Sequence, residues 1–284
     1  MMEKICLVSP AKINLRLEIL KKRSDGYHEV RTLLQKISCY DTLRVALTKR
    51  RGIFITSNNP NLPTGRDNLV YRAVESLLKT TDYGGGVRVF IRKRIPLGAG
   101  LGGGSSDAAT ALKAVALLLG LDLPMEALQG IGKKIGADVP FFLFEGAALA
   151  SGIGDCLKRV DLPELWLVLI YPNFEVSTRW AYEHFVLTRK GLRLNIRMVA
   201  KTPEGMVRVL RNDLEGVVSR RYPQIDAMKE MLCSAGALGA LMSGSGPTVF
   251  GVFENERAAM RAYRELRIPC QMKGWTVFKA HSVP

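Results

Sequence analysis

The sequence predicts a two-domain protein of the α+β class. Strand-like segments dominate the start of the chain and helical segments follow them, whereas strands flank helices in the second half. The 284 residues suffice for two domains of ordinary size. A hydrophobic content of 47% with 24% charged residues is typical of a soluble globular protein with a sizeable core. We expect the boundary near residues 150–165, which gives domains of 1–155 and 156–284.

The first half alternates between apolar strand patterns and helical periodicity. Strands are predicted at 5–8, 14–20, 42–47, 53–57 and 87–95. Helices are predicted at 68–78, with Asp67 as the N-cap, and at 108–119 and 125–135, followed by an apolar segment over 141–150.

The second half begins with a buried-strand pattern at 166–171. Further strands are predicted at 248–253 and 276–280. Helices are predicted at 176–185, 203–209, 225–235 and 256–266.

A glycine-rich loop lies between the predicted strand 87–95 and the predicted helix 108–119. It reads Pro96-Leu97-Gly98-Ala99-Gly100-Leu101-Gly102-Gly103-Gly104-Ser105-Ser106-Asp107. Glycines at five of the seven positions 98–104 allow positive φ and close approach of the backbone to a ligand. Ser105, Ser106 and Asp107 stand where helix N-caps are expected. Because a helix N-terminus presents free N–H groups and a positive dipole, the loop predicts a phosphate site.

Two familiar nucleotide loops do not fit this segment. Gly98, Gly100 and Gly103 match G-x-G-x-x-G, but that motif requires an acidic residue at the end of a following strand, and here a helix ends near Asp122. A P-loop requires a lysine after its second conserved glycine, and Gly103 is followed by Gly104. A glycine-rich turn without a ligand is the remaining alternative.

Two further segments accompany the glycine loop. Lys12 and Asn14 lie in Ser9-Pro10-Ala11-Lys12-Ile13-Asn14-Leu15, and a small-residue loop follows as Leu241-Met242-Ser243-Gly244-Ser245-Gly246-Pro247-Thr248. In this order the three segments resemble the motifs of the GHMP kinase superfamily, named for galactose, homoserine, mevalonate and phosphomevalonate kinases. The resemblance implies an N-terminal domain like domain 2 of ribosomal protein S5, a ferredoxin-like C-terminal domain, ATP between them, and a third motif that supports the phosphate loop.

Two details narrow the resemblance. Arg23-Ser24-Asp25-Gly26-Tyr27-His28 and Gly136-Ala137-Asp138-Val139-Pro140-Phe141-Phe142 resemble segments of the GHMP kinases that act on 4-diphosphocytidyl-2-C-methyl-D-erythritol. This implies ATP-dependent phosphorylation of the 2-hydroxyl of that substrate, in the non-mevalonate (methylerythritol phosphate) route to isoprenoid precursors. The resemblance covers nearly the whole chain. Residues 186–201 match least well, and no functional residue is assigned there.

The resemblance implies catalytic roles for Asp138 and Lys12. Asp138 would accept the proton of the acceptor hydroxyl, and a nearby Lys12 would keep that carboxylate ionised and favour the developing alkoxide. Asn14 lies two residues after Lys12 on the same strand face and would hydrogen-bond the substrate. The alternatives are a structural ion pair for Lys12 and Asp138 and a satisfied strand-end polar group for Asn14.

The resemblance also implies how the nucleotide is held. The cofactor-binding residues would be Pro96, Leu97, Gly98, Ala99, Gly100, Leu101, Gly102, Gly103, Gly104, Ser105 and Ser106. Ser105 and Ser106 would contact phosphate or cap the helix, and Asp107 would be structural. No carboxylate cluster for a metal is evident, so Mg²⁺ would be carried on the nucleotide, held by phosphates and water.

Tyr27 and His28 would bind the cytosine ring of the substrate. Tyr27 would stack on the base, and His28 would provide the selectivity by hydrogen bonds to the base edge. The alternative is a β-turn at Asp25-Gly26 with the tyrosine packed on the sheet. His184 and His281 are given no role.

Charge and cysteine content bound the remaining possibilities. The net charge of +15 permits an RNA-binding protein without catalysis, but the basic residues fall in short clusters without interleaved exposed aromatics. We therefore predict small-molecule partners only, namely ATP and the cytidine diphosphate-linked substrate, with no nucleic acid and no membrane. A kinase for mevalonate or homoserine is the alternative enzyme, although neither acceptor offers a base to Tyr27.

The cysteine content and the absence of targeting signals predict a cytoplasmic protein. The five cysteines are scattered without a C-x-x-C pair, and the sequence shows no secretory signal and no membrane span. We expect a monomer or weak homodimer.

Overall fold

The computed structural model describes residues 4–187 and 201–284. It divides into two compact units. The first comprises Met1–Ala11, Tyr40–Leu97 and Gly102–Glu145, and the second comprises Lys12–Cys39, Gly98–Leu101 and Gly146–Pro284. The units are not consecutive halves of the chain because two long strands, Lys4–Lys22 and His28–Thr48, contribute residues to both. The proposed boundary at 155/156 stays a prediction.

The strands and helices follow in chain order. The described strands are β1 (Lys4–Lys22), β2 (His28–Thr48), β3 (Gly52–Ser57), β4 (Gly86–Arg92), β5 (Ala147–Ser151), β6 (Cys156–Val160), β7 (Trp166–Tyr171), β8 (Arg211–Asn212), β9 (Gly239–Met242), β10 (Val249–Phe253) and β11 (Thr276–Val283). The described helices are α1 (Leu69–Leu78), α2 (Gly103–Leu119), α3 (Met125–Ile135), α4 (Val139–Leu143), α5 (Thr178–Glu183), α6 (Pro203–Val207), α7 (Glu215–Arg221), α8 (Gln224–Ser234) and α9 (Glu256–Met272).

The first unit packs helices against a small sheet. Strand β4 pairs antiparallel with β2, from Thr42 opposite Arg92 to Thr48 opposite Gly86, and β3 pairs parallel with β4. Helices α1 and α2 pack against each other, and both contact this sheet. The buried alanines of α2 allow this close approach, since they add little side-chain bulk.

The second unit contains the sheet β9-β10-β7-β11, with β11 continuing to β2. Its pairings are antiparallel, and Ser282 and Val283 of β11 lie opposite Ile37 and Lys36 of β2. The two-residue strand β8 pairs parallel with β1, with Asn212 opposite Leu17. Helices α8 and α9 bury Leu232 and Leu266 in a hydrophobic core with Phe253 of β10.

The predicted elements agree with the structure in part. Helix α3 and strand β7 occupy the predicted residues. The N-cap of α1 is Asn68, whose side chain accepts from the Val70 N–H, so the expectation of Asp67 is wrong. The apolar segment 141–150 divides between α4 and β5.

Both long strands exceed their predictions for identifiable reasons. Strand β1 was expected as two strands interrupted near Pro10, but proline removes only a backbone donor and an extended backbone accommodates its φ. Strand β2 was expected only over 42–47. Its residues 32–37 are all buried, polar ones included, so the sequence shows no alternation there. Helix α9 continues beyond residue 266 through Pro269, with Cys270 buried in its last turn.

Candidate functional site

The backbone of the glycine-rich loop alternates in handedness. Gly98, Gly100 and Gly102 have φ of +58°, +75° and +69°, while Ala99 and Leu101 between them do not enter the positive region. Such alternation turns successive N–H groups toward one side and forms a concave site for anions. The loop backbone therefore suits phosphate oxygens, as the sequence predicts.

Helix α2 begins five residues earlier than expected. Its N-cap is Gly102, in the left-handed conformation and without a side-chain cap. The expectation of N-caps at Ser105, Ser106 and Asp107 is therefore wrong, because glycine at the N-cap gives no side-chain pattern to detect. The Ser106 N–H already bonds to the Gly102 carbonyl, so the free N–H groups of the helix belong to the residues between Gly102 and Ser106. Such free donors at a helix N-terminus suit an anion.

The two loop serines differ in access. Ser106 is fully buried, and its hydroxyl oxygen accepts a hydrogen bond from Ser9 Oγ at 2.7 Å. Ser105 is half-buried. A phosphate contact is therefore easier for the Ser105 hydroxyl, and both nucleotide roles stay predictions.

Asp107 lies in a buried charge cluster under the first turns of α2. Its Oδ2 accepts from Lys93 Nζ at 2.9 Å, Lys93 also pairs with Asp41, and Asp107 Oδ1 has no hydrogen-bond partner among the described residues. Burial, with a smaller contribution from the negative charge of Asp41, raises the pKa of Asp107 to about 7 against the opposing effect of Lys93. This agrees with a structural interpretation of Asp107.

We expect Asp107→Asn to stabilise the protein at pH 8 and to change its stability little at pH 5. A carboxyl whose pKa is raised on folding holds a proton that the unfolded chain releases, so wild-type stability falls as pH rises from about 4 to about 7. Asparagine removes that loss, and the melting temperature at pH 8 should rise by about 2–6 °C. Thermal unfolding from pH 5 to pH 8 measures it.

The neighbouring substitution Asp41→Asn provides the contrast. Asparagine keeps an acceptor for the backbone N–H groups of Arg94 and Ile95, which Asp41 Oδ1 accepts at 2.5 and 2.9 Å. It loses the charge that pairs with the buried Lys93, so this variant should be destabilised at pH 8, where Asp107→Asn is stabilised. A difference between Asp107→Asn and wild type that does not change with pH would contradict the assignment.

Lys12 and Asn14 are buried together on β1. Lys12 Nζ donates to Asn14 Oδ1 at 2.5 Å, and Asn14 Nδ2 donates to Thr32 Oγ1 at 2.8 Å. The Lys12 N–H donates to the Leu101 carbonyl at 2.9 Å, so the strand is joined directly to the glycine-rich loop. The residue that carries this buried ammonium is therefore bonded through its backbone to the glycine-rich loop.

The small-residue loop near the C-terminus contacts both of these segments. Ser243 Oγ accepts the Asn14 N–H at 3.3 Å and donates to the Gly100 carbonyl at 3.0 Å. A Cβ at Gly100 would collide with the Ser243 carbonyl oxygen, and one at Gly244 would lie 3.3 Å from Lys12 Nζ. The parts of the three segments that belong to the second unit, residues 12–15, 98–101 and 241–248, thus contact one another.

Asp138 belongs to the first unit, where it occupies the N-cap position of α4. Its backbone is helical, with φ −83° and ψ −13°, and its side chain makes no cap hydrogen bond to that helix. The carboxylate is half-buried. Helix α4 therefore does not depend on the Asp138 side chain for capping.

The hairpin between β1 and β2 presents Tyr27 to solvent. The Tyr27 N–H donates to Asp25 Oδ1 at 3.1 Å, and Gly26 has φ of +85°, so the predicted turn is present. The tyrosine is 60% exposed, so the alternative of a ring packed on the sheet is wrong.

His28 is half-buried and lies against a second aromatic ring. Its ring centroid is 5.2 Å from that of Tyr182 on α5, a residue that the sequence patterns did not single out. Burial, and to a smaller extent the positive charge of Lys22, lower the pKa of His28. A neutral imidazole both donates and accepts a hydrogen bond, which is what reading a base edge requires.

Within residues 4–187 and 201–284, no three His, Cys, Asp or Glu side chains are grouped so that they could hold a metal ion. None of the helices described combines the length and apolar content that a membrane crossing requires. All five cysteines are free.

The chain is similar to known proteins over nearly its whole length. GHMP kinases N terminal domain matches residues 68–146, and GHMP kinases C terminal matches residues 198–271. A Geobacter sulfurreducens protein named 4-diphosphocytidyl-2-C-methyl-D-erythritol kinase is 46% identical over 267 residues, which cover 94% of this chain and 96% of that protein. The protein of the same name from Syntrophus aciditrophicus is 47% identical over 280 residues, 98% of this chain and 99% of its own. A crystal structure of 4-(cytidine 5'-diphospho)-2C-methyl-D-erythritol kinase matches with a TM-score of 0.85 at 35% identity, covering 99% of this chain and 100% of that one.

Proposed function

Because the chain belongs to the GHMP kinases, and among them to the 4-diphosphocytidyl-2-C-methyl-D-erythritol kinase family, we propose that it transfers a phosphoryl group from ATP to the 2-hydroxyl of that substrate. The chain is an ATP-dependent small-molecule kinase. Its reaction belongs to the non-mevalonate route to isoprenoid precursors.

One geometric observation carries this proposal. The Lys12 N–H donates to the Leu101 carbonyl, so the strand that carries the buried ammonium is bonded directly to the loop whose backbone suits an anion. Phosphoryl transfer requires fixed donors around phosphate oxygens and a cation near the developing charge. The loop backbone and the buried Lys12 support the proposal because they are of the two kinds that this reaction requires.

We assign the steps to four kinds of residue. The backbone of Gly98 to Ser105 binds and orients the ATP phosphates, whose fit rests on the alternating φ values described above. Asp138 accepts the proton of the acceptor hydroxyl. Lys12 stabilises the negative charge that develops on the acceptor oxygen, and Asn14 orients the lysine and hydrogen-bonds the substrate. Magnesium, carried on the nucleotide, would neutralise phosphate charge.

Tyr27, His28 and Tyr182 form the proposed site for the cytosine ring. An exposed tyrosine offers a face for stacking, and the neutral imidazole of His28 reads the base edge. Tyr182 supplies a second aromatic surface beside His28. Mevalonate and homoserine have no base and would gain nothing from these residues.

We expect Tyr27→Ala to raise KM for the acceptor by about 5- to 150-fold, because stacking on one base contributes about 1–3 kcal/mol. KM for ATP should not change. Tyr27→Phe keeps the aromatic face and should remain near wild type. Steady-state kinetics with each substrate varied in turn measure the split, and an equal rise in both KM values would oppose the assignment.

A coupled assay for ADP release tests the function as a whole. Wild type and Asp138→Ala are compared with MgATP and 4-diphosphocytidyl-2-C-methyl-D-erythritol, with mevalonate and homoserine as control acceptors. Turnover of the cytidyl substrate alone, absent in Asp138→Ala, supports the acceptor and the base together. Turnover of a control acceptor instead would leave the assignment as a kinase in place and overturn the assignment of the acceptor.

The setting of the reaction is a further part of this proposal. We place it in the cytoplasm, carried out by a monomer or weak homodimer that binds no nucleic acid. The five free cysteines support a reducing compartment. Light scattering of the purified protein would measure the oligomeric state.

A further inference from the structure

Asn212 is a buried amide whose hydrogen bonds all reach backbone groups. Its two N–H groups donate to the carbonyls of Met242 and Gly244, at 2.8 and 2.7 Å. Its Oδ1 accepts the Leu214 N–H at 3.0 Å. The orientation of the amide is therefore determined by its partners: the nitrogen faces two acceptors and the oxygen faces a donor.

The two carbonyls flank Ser243. Holding both fixes the residue between them, and the hydroxyl of Ser243 is the group that bonds to the Gly100 carbonyl and to the Asn14 N–H. Gly244 itself has φ of +58° and lies against Lys12 and Asn14. The position of Ser243 thus connects the glycine-rich loop to the strand that carries Lys12.

A second side chain close to Asn212 supports the same loop. Glu215 Oε2 accepts the Met242 N–H at 2.7 Å, and Glu215 Oε1 accepts from Lys229 Nζ at 2.5 Å. Both the N–H and the carbonyl of Met242 are therefore bound by the segment that begins at Asn212. This segment is also fixed to β1, because the Asp213 N–H donates to the Leu17 carbonyl at 3.0 Å.

We propose that Asn212 is a positioning residue for phosphoryl transfer, acting through Ser243 to hold the glycine-rich loop against the strand of Lys12. The inference rests on the proposed function. Backbone pairing of β8 with β1 already holds the segment in place. This pairing does not involve the Asn212 side chain. A buried amide is unfavourable unless its hydrogen bonds are made, so its bonds account for its presence. The amide provides two donors for the loop that contains Ser243.

Asn212→Asp tests this with a nearly isosteric change. The aspartate retains an acceptor for the Leu214 N–H, loses both donors, and places a negative charge against two carbonyl oxygens. We expect kcat/KM for ATP to fall about 10- to 100-fold. Asn255→Asp is the matched control. Asn255 caps α9 by accepting the Ala258 N–H, aspartate caps equally well, and kinetics and stability should stay at wild-type values.

A double-mutant cycle separates positioning from general stability. If Asn212 acts through Ser243, Asn212→Asp should reduce kcat/KM for ATP by less than about threefold in a Ser243→Ala background. Independent, multiplying effects would overturn the proposal. So would a lowered melting temperature with unchanged kcat and KM. Asn212→Ser, which keeps one donor, should be intermediate and serves if the aspartate variant does not fold.

Nucleotide binding distinguishes this inference from the proposed acceptor. Titration calorimetry with MgATP and no acceptor should show about 10-fold or greater weakening in Asn212→Asp. If wild type binds MgATP but does not phosphorylate the cytidyl substrate, the acceptor assignment fails while weakened binding in the variant still supports the positioning role. Unchanged MgATP affinity in Asn212→Asp would contradict it.

Discussion

Asp138→Asn is expected to lower kcat by about 10²- to 10⁴-fold while leaving the affinity for MgATP near wild type, since loss of a general base removes a contribution of that size. The asparagine has the same shape but accepts a proton poorly. Asp138 does not cap α4, so the substitution removes no hydrogen bond that starts that helix. We therefore expect the variant to fold, so that the fall in kcat reports on catalysis.

Three measurements decide this prediction. Steady-state kinetics give kcat, titration calorimetry gives the MgATP dissociation constant, and thermal unfolding shows whether the variant folds. Asp67→Asn, the same change at an exposed residue before α1, is the matched control and should leave all three unchanged. A variant with more than about a tenth of wild-type kcat would remove Asp138 as the base, because general-base loss exceeds that factor.

Gly100→Ala should abolish most nucleotide binding, with kcat/KM for ATP reduced about 100-fold or more. Alanine at φ of +75° costs about 1–2 kcal/mol in backbone conformation alone. Its Cβ would also collide with the Ser243 carbonyl oxygen and lie 2.9 Å from that of Gly246. These neighbours are backbone atoms, so the loop itself must move and the alternating N–H groups lose their common direction.

Gly130→Ala is the matched control for this prediction. Gly130 lies exposed within α3, has an ordinary φ, and a Cβ there meets nothing within 4 Å. Alanine should stabilise the helix by up to about 1 kcal/mol and leave the kinetics unchanged. Calorimetry with MgATP compares the two variants. Wild-type affinity in Gly100→Ala would show that the loop conformation is not needed for nucleotide binding.

Local sequence patterns predicted the glycine-rich loop with its positive φ values, because glycine adopts such values readily. That the loop binds phosphate stays a prediction. The fold class, a two-domain α+β GHMP kinase fold, is confirmed by the comparisons. The start of α2 was predicted too late, since Gly102 caps the helix by its backbone conformation and not by a side chain. Strand β2 was predicted too short because burial on both faces removed the alternation that marks a strand.

Residues that act through distant partners were not predictable. Asn212 acts on Met242 and Gly244, 30 and 32 residues away, and no local spacing connects them. Lys93 falls in a basic cluster of the sequence, and only the fold shows that it is buried between Asp41 and Asp107. Tyr182 likewise became a candidate only because the fold places its ring beside that of His28, which lies on a different element.

The pairing of β11 with β2 has a consequence for synthesis of the chain. Val283 lies opposite Lys36, and its carbonyl accepts from Gln35 Nε2 across 248 positions of sequence. Strand β2 emerges early from the ribosome but lacks this partner until translation has passed residue 283. During that interval only the backbone groups of Lys36 and Ile37 wait for β11, whereas the rest of β2 can already pair with β1, β4 and β5, so this part of the sheet is completed last, when the C-terminal strand arrives.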